Sequence, residues 1–497
     1  MKSAYFRELQ RYSKQDIANA LRTDLDTVVK LLRRLKSCGV VKAVNPRTEE
    51  SNRLDFSLQD ENCSDVELTV SNQLFVFNYV GVIAVDDYVF NCYPKYIKSN
   101  SEPLQELKQV LQVIKKYNSK AHVVSMSNGL DEQSPFNMLA IMLFLIDDYY
   151  EGGLYSNQSS VLELNGEGEI NWDTTINESF AFLIENRPVY TNLYTNNMID
   201  DTDSIIRRIH QSIISYCSKL LHEVGLSDLF SIEDLVLTDE ILEDIGDEEY
   251  LLYQLSKELN VQFITRKQIL LKTLFAFISQ RSILEHGFGL SMYGTSSFHT
   301  VWQDVCAAVF GSHLHCKLKD LPITLSSKYT PSQNLRLIEL IEKPKWIAYV
   351  NGRSYQHLVS DTLIPDLITI FQRKESTCFG IFDAKYYVIT LDEFTVSGQP
   401  GIGDITKQYL YERAYTEFLQ HNNISDVLNA FLCPGSGSCI EILGEAELDM
   451  LHSLGLSNIQ VWKLPTRWLF AQYLANVVID ISRDVLSTIP AATISPT

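Results

Sequence analysis

Two carboxylates and an amine carry the strongest chemical signal in this sequence. Thr362-Leu363-Ile364-Pro365-Asp366-Leu367-Ile368-Thr369-Ile370-Phe371 is rich in β-formers and holds one acid in its middle. Cys378-Phe379-Gly380-Ile381-Phe382-Asp383-Ala384-Lys385-Tyr386-Tyr387 is a second apolar stretch, ending in acid, small residue and base. The polar run Gln372-Arg373-Lys374-Glu375-Ser376 between them predicts a hairpin turn. Side chains alternate along a strand, so Asp383 and Lys385 are expected on one side and Ala384 on the other, with Asp366 brought alongside by the neighbouring strand. Such a set suits phosphodiester hydrolysis. Carboxylate oxygens hold Mg²⁺, which keeps waters of its own and lowers their pKa. Asp366 and Asp383, with the Ala384 carbonyl, are the candidate metal ligands. Lys385 is placed to orient or deprotonate the attacking water, burial beside a metal favouring its neutral form.

The triplet alone says little. With 24 lysines and 62 acidic residues among 497, a random chain holds about three acid-x-lysine triplets, and this one has two. The other, Glu106-Leu107-Lys108, lies in a helical pattern without a partner acid. Context separates them, because charges that interrupt apolar strands are costly unless paired or metal-bound. A structural ion pair between Asp366 and Lys385 is the competing explanation.

A third element follows the loop Ser397-Gly398-Gln399-Pro400-Gly401-Ile402-Gly403. In Asp404-Ile405-Thr406-Lys407-Gln408-Tyr409-Leu410-Tyr411, Gln408 and Tyr411 share a helix face. A helix returning over the strands would aim them at a phosphate or the attacking water. The alternative is an amphipathic helix with Tyr415 and Phe418 in the core.

These elements need a large scaffold, and 497 residues predict two to four domains. The net charge of −20 is uneven: residues 1–48 carry 11 Lys/Arg against 4 Asp/Glu, so residues 49–497 carry −27. A basic module on an acidic body fits local DNA contact. Ser13 and Asp16 open a short helix with Ile17, Ala18 and Leu21 on its apolar face, and Thr23-Asp24 open a second with Leu25, Val28, Leu32 and Leu35. Gly39 ends that helix before the strand Val40 to Val44. Helix, turn, basic helix and strand is the winged-helix order, whose second helix enters a major groove or contacts protein. Thr27, Lys30, Arg33 and Arg34 are the candidate DNA contacts.

Residues 54–98 shift to a period near two, with strands at Leu74 to Phe77, Val80 to Ile83 and Tyr88 to Phe90. A helix is expected over Leu104 to Tyr117, and a largely helical pattern from about 135 to 285, including Ile205 to Leu221 and Lys267 to Phe277. The acidic segment Glu233 to Glu249 reads as a solvated helix and loop. A separate α/β unit is expected from about Ser296, and a frayed tail over Pro490 to Thr497. The expected architecture is α+β and multidomain. It comprises a winged helix (1–50), a small β-rich domain (51–130), a mainly helical region (131–290), a C-terminal α/β domain (291–485) and a tail (486–497). The most apolar stretch, Met138 to Ile146, is half the length of a membrane helix and runs into Asp147-Asp148. The amino-terminal residues contain no hydrophobic signal core. Nine scattered cysteines without a Cys-x-x-Cys pair fit reduced thiols, and a cytoplasmic location is expected.

Taken together, these stretches resemble the PD-(D/E)xK nuclease superfamily and, more narrowly, the LlaJI family of restriction endonucleases, which is similar to the McrC nuclease subunit of modification-dependent restriction systems. The resemblance rests on Val80-Gly81-Val82-Ile83 through Tyr93-Pro94-Lys95-Tyr96-Ile97, on Asn165-Gly166-Glu167-Gly168-Glu169-Ile170-Asn171-Trp172, and on the three segments around Asp366, Asp383 and Gln408. It implies a PD-(D/E)xK fold for the C-terminal domain, Asp366 and Asp383 as metal ligands, Lys385 as the water-activating base, and Gln408 and Tyr411 as supporting residues. It also implies cleavage of double-stranded DNA with Mg²⁺ under the control of a McrB-like GTP-hydrolysing AAA+ partner. Nucleases of this type often add an acid from a helix. Here the helix is Phe298-His299-Thr300-Val301-Trp302-Gln303-Asp304-Val305, where Gln303 occupies the expected position and Asp304 is the substitute. The sequence has no Gly-x-x-x-x-Gly-Lys-Ser/Thr, so nucleotide hydrolysis falls to another chain. One site per chain and two strands to cut imply a homodimer or a motor-bound assembly. An inactive nuclease-like adaptor and a repair or end-processing nuclease are the other readings.

Overall fold

Apolar β-formers on either side of a polar turn pair as the sequence predicts. Leu367–Arg373 and Ser376–Ala384 form an antiparallel hairpin in register from Leu367 opposite Phe382 to Arg373 opposite Ser376. The structure is a computed structural model that describes residues 2–44, 73–98, 103–125, 138–156, 158–185, 187–200, 204–279, 290–350, 353–358, 361–373, 376–452 and 455–486. The chain divides into two units, one from residues 2–83, 88–130 and 293–497, the other from Met1, 84–87 and 131–292. The expected α/β unit from Ser296 is therefore not separate from the amino-terminal segments.

The first unit begins with Lys2–Arg7 (β1), Arg11–Ser13 (β2), Lys14–Leu21 (α1), Leu25–Ser37 (α2), Val41–Val44 (β3) and Leu74–Phe77 (β4). Ser13 and Asp16 cap α1 reciprocally: Asp16 N donates to Ser13 Oγ at 3.1 Å and Ser13 N to Asp16 Oδ2 at 2.8 Å. Ile17, Ala18 and Leu21 of α1 are buried, as are Val28, Leu31, Leu32 and Leu35 of α2. Leu25 is not in this stripe. It is 45% exposed in the first turn, and Leu31 completes the i, i+3, i+4, i+7 face instead. The antiparallel sheet runs β2-β4-β3. Leu74–Phe77, expected in the small β-rich domain, thus closes the amino-terminal module, where Phe77 stacks on Phe6 with ring centroids 4.7 Å apart. Residues 54–72 and the Pro490 to Thr497 tail lie outside the described residues.

Val80–Val85 (β5) and Tyr88–Tyr93 (β6) follow, then Leu104–Ser125 (α3), which carries the Glu106-Leu107-Lys108 triplet on a helix. A second sheet is ordered β1, β6, β5 and Leu290–Thr295 (β7), with β1 and β6 parallel. Gly81 has φ +143°, and a Cβ there would lie 2.2 Å from the Tyr293 carbonyl oxygen, so only glycine allows this approach.

The remaining elements of this unit are Phe298–Val309 (α4), Lys345–Val350 (β8), Arg353–Leu358 (β9), the hairpin strands Leu367–Arg373 (β10) and Ser376–Ala384 (β11), Ile402–His421 (α5), Asp426–Gly435 (β12), Glu441–Ala446 (β13), Ile459–Pro465 (β14) and Thr466–Leu474 (α6). Five strands form a mixed sheet ordered β10-β11-β12-β14-β13, with β11, β12 and β14 parallel. Alternation along β11 sends Phe379 and Ile381 into a cluster with Tyr415 and Phe418 of α5, while Phe382 meets Phe310 and Trp462, each at 5.6 Å. Burying both faces of β11 fixes its register, because a one-residue slip would exchange them.

In the second unit the helices Met138–Gly152, Ile205–Glu223, Glu248–Val261 and Thr265–Ser279 bear out the helical reading. The region also contains strands that this reading missed: Gln158–Leu164, Glu169–Ile170 and Tyr194–Asp200 in one sheet, and the hairpin Ala181–Ile184 with Arg187–Tyr190. These strands are short and show no sustained alternation of apolar and polar residues, which is why they were not legible.

Candidate active site

The hairpin register, continued one residue past Leu367 and Phe382, sets Asp366 across from Asp383. Asp366 Oδ2 accepts the Ala384 N–H at 2.8 Å, locking the acid to the end of the neighbouring strand. Asp383 is 5% exposed, and its strand lies inside the sheet between β10 and β12. Lys385 Nζ lies 3.0 Å from Asp383 Oδ2, so acid and amine fall on one side as alternation requires. The three side chains expected to meet do meet.

Burial raises the Asp383 carboxyl to about 8, and a hydrogen bond and charge repulsion from Asp366 add to the rise, outweighing Lys385. Two carboxyls this close cannot both ionise cheaply without a cation between them. Burial alone would lower the Lys385 pKa, but Asp383 and Asp404 more than reverse this and hold it above its ordinary value. In the metal-free chain its two acid neighbours keep Lys385 an ammonium, whereas the expectation of a neutral amine concerns burial beside a bound metal.

Asp404, in the first turn of α5, accepts from Lys385 Nζ at 2.9 Å. Its role went unread, although 404, 408 and 411 share one helical face. Gln408 and Tyr411 also do otherwise than expected. Gln408 is wholly buried, and its Nε2 donates to the carbonyls of Ile381 at 3.3 Å and Ala430 at 3.4 Å, bridging β11 and β12 beneath the site. The Tyr411 hydroxyl donates to the Ile364 carbonyl at 3.0 Å and so holds the Ile364-Pro365-Asp366 segment. Burial, then the Asp383 and Asp366 charges, push its phenol up to about 12. Both residues brace β11, β12 and the segment before β10 and do not reach outward to a phosphate. Tyr415 and Phe418 are in the core, as the amphipathic alternative has it.

From α4 it is Gln303 that reaches Asp366, its Nε2 3.2 Å from each carboxylate oxygen. Asp304, the candidate substitute ligand, accepts from the Tyr473 hydroxyl of α6 at 2.6 Å. One turn back, His299 has a lowered pKa through burial and the Lys95 charge, partly offset by Asp366. Lys95 lies over the Tyr386 ring, 4.8 Å from its centroid. Tyr386, next to Lys385, is buried and donates to Glu8 Oε2 at 2.5 Å, tying the end of β1 to the segment that follows β11. No sequence pattern joins residues 378 positions apart.

On α2, Lys30, Arg33 and Arg34 are exposed opposite the buried stripe. Thr27, grouped with them as a DNA contact, uses its N–H (2.8 Å) and hydroxyl (2.7 Å) to cap the helix through Asp24.

The LlaJI restriction endonuclease family matches residues 79–472. The chain belongs to that family. The match runs from β5 to α6 and takes in every residue of the acid-and-lysine cluster. As a member, the chain is a restriction-system component. It is 28% identical over 474 residues to the type II restriction enzyme BsuMI component YdjA of Bacillus subtilis (strain 168), covering 92% of this chain and 87% of that one. Among solved structures it is similar to a half-complex of Thermococcus gammatolerans McrB AAA+ hexamers with bound McrC, at 14% identity and a TM-score of 0.35, covering 95% of this chain and 99% of that one. A second is the Thermococcus gammatolerans McrBC complex, at 13% identity and a TM-score of 0.24, covering 56% and 79%.

Among the described residues of this LlaJI family member no three His, Cys, Asp or Glu side chains group as a metal site, so an ion here would rest on two carboxylates and main-chain oxygen. That donor set is entirely hard, which suits Mg²⁺ with several retained waters. The eight described cysteines are free thiols, and no described helix is long and apolar enough to cross a membrane.

Proposed function

We propose that the chain is the Mg²⁺-dependent DNA endonuclease subunit of its restriction system, built on a PD-(D/E)xK core. The observation that carries this is the enclosed pair Asp366 and Asp383 with the Lys385 ammonium against it. Asp366, Asp383 and the Ala384 carbonyl would hold the ion, which when bound supplies Lewis acidity and a water of lowered pKa. Lys385 would orient or deprotonate that water, and Asp404, which accepts from its Nζ, would fix its direction. Gln303 and the Ala384 N–H orient Asp366, and Tyr411 holds the segment that carries it.

Residues 2–44 with β4 are read as a winged helix, supported by the β2-β4-β3 order behind α1 and α2 and by the cations on α2. Lys30→Ala/Arg33→Ala in the full-length protein should make duplex binding less steeply salt-dependent, by ~2 in the log–log slope, because two fewer counterions are released. An unchanged slope would assign α2 to protein contacts. A McrB-like GTPase is the proposed partner. The resemblance, the absence of a Walker A motif from the sequence and the naming of the Bacillus relative as a component all support it.

The test combines the chain, that partner, GTP, Mg²⁺ and duplex DNA. Discrete fragments that disappear on chelation are expected, with cutting of circular and linear DNA alike. No cleavage under any of these conditions would leave an adaptor, and progressive loss of linear DNA from its ends would make it an end-processing nuclease.

A further inference from the structure

The β8 and β9 strands form a two-stranded ribbon of their own. Among the described residues they pair only with each other, Lys345 opposite Leu358 through Val350 opposite Arg353, and all twelve residues are exposed. The base of this ribbon is fixed, since the Thr362 hydroxyl donates to the Glu342 carbonyl at 2.8 Å. Asp366 follows only four residues after Thr362. A bare ribbon so near the acid pair in sequence has no folding role to explain it: exposed aromatics gain nothing in stability from water on both sides.

Its chemistry indicates what it meets. From residue 343 to 360 the sequence has Lys343, Lys345 and Arg353 and no acid, within a protein of net charge −20. A protein-docking sheet face is apolar on one side and wet on the other. This ribbon instead mixes cation, aromatic ring and hydrogen-bonding group on both faces. Opposed residues share a face, so Lys345, Tyr349 and Gln356 lie on one side, and Arg353, Tyr355 and Trp346 on the other. Trp346 is 67% and Tyr349 81% exposed. A two-stranded ribbon fits the DNA major groove, where its two faces meet the two phosphate walls and its edge meets the bases. Six residues span ~20 Å, enough to reach along the groove from the cleavage point.

We propose that β8 and β9 form a DNA-groove arm that grips the duplex beside the scissile bond. The proposal rests on the nuclease reading for its substrate, and on the ribbon alone for its site. Lys345 and Arg353 contact phosphates on opposite walls, while Gln356 and the aromatic rings face sugar and base edges.

The test measures binding of a labelled duplex to the full-length chain carrying Asp383→Asn, with and without Lys345→Ala/Arg353→Ala. Near 0.1 M salt the double replacement should weaken binding about tenfold and reduce the log–log salt slope by ~2. Its melting temperature should stay that of the parent, because neither residue is buried. Affinity and slope equal to the parent's would overturn the arm. Cleavage by the wild-type chain is scored separately. If that chain never cuts but the two cations still govern binding, the nuclease reading falls and the arm stands. If it cuts and the cations leave binding unaltered, the arm falls alone.

Discussion

Asp383→Asn is expected to abolish cleavage and, in the same protein, to raise the stability of the metal-free chain at pH 8. The first effect follows from removing half of the carboxylate pair that would hold the ion, a loss of about 10³-fold or more in rate, or ~4 kcal/mol of transition-state stabilisation. The second follows from the raised Asp383 carboxyl, at about 8 in the fold against an ordinary value of 3.8. Between those values the folded chain holds a proton that the unfolded chain has released. The group's stabilising contribution is therefore complete below about pH 4 and is lost as pH rises toward and through 8. Asparagine does not titrate, and its amide can still donate to Asp366. At pH 8 the variant should exceed wild type by on the order of 1–3 kcal/mol, and the gap should close toward pH 4. Mg²⁺ should raise the melting temperature of the wild type and leave the variant's unmoved, because a neutral amide does not replace the anionic carboxylate that would hold the ion. Thermal melts at pH 5 and 8, with and without Mg²⁺, read all of this. A variant that cuts at near wild-type rate, or a gap that does not change with pH, would remove the acid pair from the mechanism.

The parts of this site that the sequence reveals are those set by strand geometry. Asp366 opposite Asp383, and Lys385 on the Asp383 side, follow from two apolar runs, a polar turn and a period of two. The amino-terminal helices were legible for the same local reason, since Ser13, Asp16 and Asp24 cap them within three residues. The α5 contributions were not. That helix has aromatic and polar residues all around it, so no apolar stripe says which side is inward, and Gln408 and Tyr411 were expected at the substrate when they brace the strands behind it. Asp304 was similarly ambiguous against Gln303, because adjacent helix positions differ by about 100°, and the long-range contacts that turn the helix, such as the Trp302 Nε1 hydrogen bond to the Leu432 carbonyl, are not local in sequence. The Glu8 to Tyr386 link and the β2-β4-β3 sheet join residues far apart in order, which local periodicity does not encode.

Lys385→Met should stop cleavage, by about 10²–10⁴-fold, while duplex binding persists. Here the catalytic and structural roles of one amine must be separated, because Lys385 bridges Asp383 at 3.0 Å and Asp404 at 2.9 Å. Methionine keeps the length and apolar stem but leaves the Asp404 carboxylate and the acid pair without their cation, so the metal-free variant should melt below wild type. Mg²⁺, by neutralising Asp366 and Asp383, should restore most of that stability. If the lysine served only as a counter-charge, cleavage would return with the fold. Lys385→Arg sharpens the distinction: guanidinium keeps the positive charge and can still pair with both acids, yet it never gives up its proton and presents its donors in a rigid plane. We expect Lys385→Arg to melt near wild type and still to cut at least ~10²-fold more slowly, because a single ammonium aimed at water is not reproduced by a broader fork. Cleavage by the methionine variant at wild-type rate in saturating Mg²⁺ would show that the amine contributes to folding alone. Full activity in the arginine variant would reduce its part to charge, with no proton transfer and no demand on direction.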